Sequence, residues 1–97
     1  MAGFARSFER EVGATPAEFR RGLALAHPGF VGFDGEGLRL EEGGVRLVVR
    51  LTQGPTRRLG LFELPVLWVG FDFEAGTPEE CQALLARIDL AMQRGGG

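Results

Sequence analysis

Two helix-start signatures bracketing a stretch of alternating apolar residues predict an α+β fold: N-terminal helices, an antiparallel sheet of four to five strands, and a C-terminal helix packed on one face. Each signature, Thr15-Pro16-Ala17-Glu18 and Thr77-Pro78-Glu79-Glu80, sets a hydroxyl at the cap and proline at the first helical position. Each also places a carboxylate three residues on, where it can return a hydrogen bond to the cap's own N–H. Between them, from Phe30 to Glu74, the apolar period falls from about 3.6 to about 2, and glycine-containing turns interrupt it at hairpin intervals. At 97 residues, positions 1–97 form one domain with material for one hydrophobic core.

Taken in order, Phe4, Phe8 and Val12 recur every fourth residue, and the spacing predicts a first helix from about Gly3 to Val12, stopped by Gly13. A second helix opens at Thr15 and buries Phe19, Leu23 and Ala26. It must stop at His27, because Pro28 lacks the N–H that would continue the ladder and disfavours helical dihedrals in the residue before it.

The strands follow: Phe30–Phe33, the turn Asp34-Gly35-Glu36-Gly37, Leu38–Glu41, the tight turn Gly43-Gly44, and Val45–Thr52. After Gln53-Gly54-Pro55-Thr56 come Arg57–Leu64 and Val66–Glu74, with Pro65 as the link because proline cannot donate to a ladder. In the last helix Cys81, Leu84, Leu85, Ile88 and Met92 fall on one stripe. Arg94 sits where a cation suits the helix C-terminus, and Gly95 is placed for a left-handed cap before Gly96-Gly97.

Alternation sorts the central strands into two faces. Val45, Leu47, Val49 and Leu51 with Leu67, Val69, Phe71 and Phe73 make the core face. The opposite face carries Arg46, Val48 and Arg50 beside Val66, Trp68, Gly70 and Asp72. An apolar trio of Val48, Val66 and Trp68 is not left wholly to water, so either the N-terminal helices cover it through Phe4, Phe8 and Phe19 or a partner does. The candidate interaction face is therefore Arg46, Val48, Arg50, Val66 and Trp68, for another protein or a second copy of the chain.

Chemistry-bearing patterns are sparse. His27, the one histidine, reads as an ordinary helix-terminal residue. Cys81, the one cysteine, is in phase with the apolar stripe, which means burial rather than reactivity. One of each cannot furnish the ligands of a closed zinc site. Asp34, Glu36, Glu41 and Glu42 flank turns and read as solvated hairpin decoration. No enzyme activity, cofactor or metal is expected. A lone cysteine and the absence of a targeting or spanning stretch lead to the expectation of a cytoplasmic protein without a membrane partner. The basic residues are all arginine, and a net charge of −2 removes the bulk attraction on which non-specific nucleic-acid binding depends.

Residues 4–21, Phe4-x-x-x-Phe8 running into Gly13-x-Thr15-Pro16-x-Glu18-Phe19-Arg20-Arg21, resemble the last helix-turn-helix of AraC-type transcription factors. That resemblance implies Arg6 and Arg10 on a recognition helix and Arg20 and Arg21 near the phosphate backbone, a nucleic-acid-binding alternative. The Phe-Glu-Arg at 8–10, Arg57-Arg58-Leu59-Gly60-Leu61-Phe62-Glu63-Leu64-Pro65 and the ending Gln93-Arg94-Gly95-Gly96-Gly97 resemble a group of small uncharacterised bacterial proteins, which carries no activity or partner with it. The terminal Gly-Gly is also similar to that of ubiquitin-like sulfur carriers. There, however, the glycines follow a strand, and here they follow a helix. The function expected is a non-enzymatic binding or protein-interaction module.

Overall fold

The computed structural model describes residues 4–33 and 37–95. Its elements are β1 (Ser7–Val12), α1 (Pro16–Ala26), β2 (Val31–Phe33), β3 (Gly37–Glu42), β4 (Val45–Gln53), β5 (Arg57–Leu59), β6 (Phe62–Leu64), β7 (Leu67–Ala75) and α2 (Pro78–Gly95). Five strands form one sheet in the order β1-β7-β4-β3-β2, every neighbour antiparallel, and β5 and β6 form a separate two-stranded ribbon.

The expected first helix is instead the edge strand β1, so one N-terminal helix precedes the sheet rather than several. Phe8 and Val12 are four residues apart, a spacing that fits one turn of helix and equally two periods of strand. Docking on β7 settles the choice: Phe8 pairs with Phe71 and Val12 with Leu67, and Phe8 stacks on Phe71 with ring centroids 4.9 Å apart. Ser7, Glu9 and Glu11 then point outward and are exposed.

Both capping boxes form. Thr15 Oγ1 accepts from the Glu18 N–H at 3.1 Å and Glu18 accepts from the Thr15 N–H at 2.9 Å, bonds that hold the Glu18 carboxyl below its ordinary pKa. Thr77 and Glu80 repeat the exchange at 3.0 and 3.1 Å. α1 ends at Ala26 with His27 as its cap, as Pro28 requires. Gly43 and Gly44 make the β3–β4 turn with φ of 53° and 90°, a left-handed pair that glycine adopts without a Cβ clash. Gly95, expected as a left-handed cap, is the last residue of α2. The turn at 34–36 and the ending Gly96-Gly97 lie outside the described residues.

α1 and α2 pack against each other and cover one face of the sheet. The predicted core stripe on β4 and β7 is buried in full, joined by Phe19 and Leu23 from α1 and by Cys81, Leu84 and Ile88 from α2. Leu85 and Met92, placed on the same stripe by spacing, are only partly buried at its flank. Phe4 meets Phe73 edge-on at 5.4 Å, so Phe4, Phe8 and Phe19 all serve this core side.

Candidate functional site

Among the described residues no helix covers the sheet's second face, and its composition follows from register. One row across it reads Glu9, Gly70, Arg50; the next toward Gln53 and Leu67 reads Glu11, Trp68, Thr52; the one behind reads Ser7, Asp72, Val48, Arg39. The face therefore has an acidic half, on β1 and β7, and a mainly basic half, on β4 and β3. Asp72 accepts from the Ser7 hydroxyl at 2.7 Å, and Arg46 pairs with Glu41 at 3.5 Å.

The five residues singled out from sequence divide on this surface. Val48 and Val66 are buried, whereas Arg46 and Arg50 are exposed and Trp68 retains 37% of its surface. The indole lies beside Gly54 and Val66, an arrangement that leaves the ring half covered and Val66 closed off. The N-terminal phenylalanines do not reach it.

The segment 57–64, which reads as one strand in the sequence, is a hairpin. β5 and β6 pair Arg57 with Leu64, Arg58 with Glu63 and Leu59 with Phe62 around Gly60-Leu61, with Gly60 at φ 61°. This hairpin prolongs β4 and β7 as an arm beyond the break at Pro55 and Pro65. Alternation gives it two unlike sides. Arg58 and Glu63 form an ion pair at 3.0 Å on one side, and Arg57, Leu59, Phe62 and Leu64 share the other. Arg57 pairs with Glu11 at 2.9 Å, and Glu11 belongs to the outer sheet face, so the arm's apolar side is continuous with that face. Phe62, Leu64, Val66 and Trp68, every second residue, make one strip along it.

Most of the arm's apolar surface is in water: Leu59 is 57% exposed, Leu61 at the tip 101%, Phe62 73% and Leu64 41%. With roughly 150–250 Å² available on a large side chain, these residues and Trp68 present on the order of 500 Å² of apolar surface, in the range of the largest patch on an ordinary monomer, which is often functional. A two-stranded ribbon is marginal on its own and gains stability by packing its apolar side. The radius of gyration, 14.0 Å, exceeds the about 12.5 Å of a compact chain this long, as an arm standing off the sheet requires.

Two polar clusters lie elsewhere. Arg10, inward on β1 between Phe8 and Val12, donates to both carboxylate oxygens of Asp89 on α2 at 2.8 and 3.1 Å, and its guanidinium lies over the Phe8 and Phe71 rings at 5.3 and 5.1 Å. Asp89 raises the Arg10 pKa further above its ordinary value. Beside this pair is an open cleft of about 380 Å³ with Val12, Phe19, Phe71 and Met92 among its walls. His27 takes the Gly29 N–H on Nδ1 at 2.9 Å, which leaves the ring proton on Nε2 for Glu42 at 2.7 Å. Arg87 donates to the same carboxylate, and the two partners, His27 first, hold Glu42 below its ordinary pKa. Glu42, read as hairpin decoration, is thus the knot joining α1, β3 and α2.

The Cys81 thiol is completely buried, its Sγ 3.7 Å from the Ala75 carbonyl oxygen. Among the described residues no three His, Cys, Asp or Glu side chains gather as metal ligands, and no helix is long and apolar enough to cross a membrane. The exposed residues of the arm are what sequence reasoning missed. The available signal was Gly60 at the centre of Arg57–Leu64, about which the apolar alternation reverses. No protein-family model and no curated protein matches the chain.

Proposed function

We propose that this chain is a non-enzymatic protein-interaction module whose docking surface is the outer face of the sheet together with the β5–β6 arm. The observation that carries this is the run of exposed apolar side chains Leu59, Phe62 and Leu64 on one side of the arm, with Leu61 at its tip and half-covered Trp68 on the adjoining sheet face, flanked by Arg50, Arg57 and Glu11. Half-covered aromatic anchors with a charged rim have the composition of interaction hot spots.

The non-enzymatic part of the proposal is supported by the occupation of the groups that could do chemistry. The one thiol is enclosed in the core, and both nitrogens of the one histidine are engaged. Nucleic-acid binding through the N-terminal arginines is less well supported. Arg10 is committed to Asp89, Arg6 donates to the Gly76 carbonyl oxygen at 2.7 Å, and residues 7–12 form a strand in the sheet.

The test is the Trp68→Ala variant. On a docking surface its loss lowers stability by about 1–2 kcal/mol, since over a third of the residue is already in water, and weakens partner capture by ~2 kcal/mol or more. A loss of ~3–5 kcal/mol in unfolding free energy, the cost of a core aromatic, with blue-shifted emission from the unmutated protein, would sink the proposal.

A further inference from the structure

We infer that the occupant of this surface is a second copy of the same chain, docked face to face about a two-fold axis that runs along the β4–β7 seam. Resting on the docking reading above, the inference adds the partner and the geometry. The charge layout selects both.

The seam divides the outer face into an acidic half, Glu9 and Glu11 on β1 with Asp72 on β7, and a half on β4 and β3 where Arg39, Arg46 and Arg50 outnumber Glu41; within the chain Glu11 pairs with Arg57 and Glu41 with Arg46. A two-fold axis along the seam turns each copy's acidic half onto the other's basic half. It also sends both arms the same way, because they continue the strands that flank the axis. Leu59 of each copy then meets the Phe62 side of the other, and the two strips close on themselves, as an isologous contact requires.

The remaining in-plane axis, across the strands, does the opposite. It lays acidic half on acidic half and throws the arms to opposite ends, leaving both apolar sides in water. Like charges set against each other across a contact cost several kcal/mol. Sequence order thus favours one of two face-to-face arrangements.

Area agrees with a stable pair. Without Leu61 at the tip, two strips of on the order of 400 Å² each bury about 800 Å² when they meet. The flanking charged columns bring the total into the about 1,200–2,000 Å² of a specific interface. Aligned packing of two sheets is also a known stable geometry, with mean strand directions within about 30°.

Sedimentation equilibrium of the full chain across the micromolar range tests this, with acrylamide quenching of Trp68 on the same samples. The expected result is a dimer with shielded Trp68, weakened tenfold or more by Phe62→Ser, by Glu9→Arg and by Arg39→Glu, each folded by circular dichroism, and restored when Glu9→Arg and Arg39→Glu are combined. A dimer indifferent to these changes overturns the geometry. A monomer whose Trp68 is freely quenched overturns self-pairing while leaving the docking surface for a different protein. A monomer whose Trp68 is shielded removes both.

Discussion

The Trp68 indole closes over Gly54 so tightly that a Cβ on the glycine would meet Nε1 at 3.0 Å and the Val66 side chain at 3.2 Å. The last backbone step before the arm is therefore a ring resting on bare main chain, locked by the Gly54 N–H donating to the Val66 carbonyl oxygen at 2.8 Å.

Gly54→Ala is expected to push the ring outward, because neither the backbone nor buried Val66 can yield. Trp68 emission shifts to the red and acrylamide quenching rises, with a stability loss of roughly 1 kcal/mol from the strained contact. Unchanged emission would mean that the ring does not pack on Gly54.

Leu84→Ala should cost ~2–5 kcal/mol, since Leu84 is almost wholly enclosed between α2 and the sheet. Leu85→Ala should cost clearly less, because Leu85 is only partly buried. Urea denaturation of the two variants side by side measures the difference, and equal losses would contradict the placement of Leu84 in the core and Leu85 at its flank.

Asp89→Asn removes the charge that holds Arg10 against the Phe8 and Phe71 rings. With both side chains near two-fifths exposed, 40% and 37%, solvent screening limits the loss to about 1 kcal/mol. Arg10→Lys should lose as much, since an ammonium cannot keep the two-pronged bond and the stacking together. Denaturation at low and high salt checks both, with high salt shrinking the Asp89→Asn effect.

Glu42 contributes to the pH dependence of stability. Its partners depress its folded pKa below the ordinary 4.5, so its contribution is fully present above that value and is lost as pH falls through the folded one. Glu42→Gln should destabilise the protein at neutral pH by about 1 kcal/mol or less, given its partial exposure, and flatten the acid limb below about pH 4.5. An acid limb identical to that of the unmutated protein would separate Glu42 from that loss.

Sequence by itself determined what local chemistry decides. The two Thr-Pro-x-Glu caps, the proline stop after His27, the Gly43-Gly44 turn and the two-residue alternation of β4 and β7 each satisfy their backbone groups, or sort their side chains, with near neighbours in the chain. Tertiary structure decided where local chemistry was degenerate. Four-residue spacing in Phe4, Phe8 and Val12 serves a helix and a strand alike, and the unpaired edge of β7 with the Phe71 ring chose the strand. Arg57–Leu64 is rich enough in apolar residues for one long strand, but its alternation changes phase at Gly60, and the left-handed Gly60 folds it into an arm instead. The Arg10–Asp89 pair spans β1 and α2, and the Glu42 knot joins α1, β3 and α2. Which of the two faces of β4 and β7 stays open also waited on the helices, since alternation fixes which residues share a face while only packing fixes which face is covered.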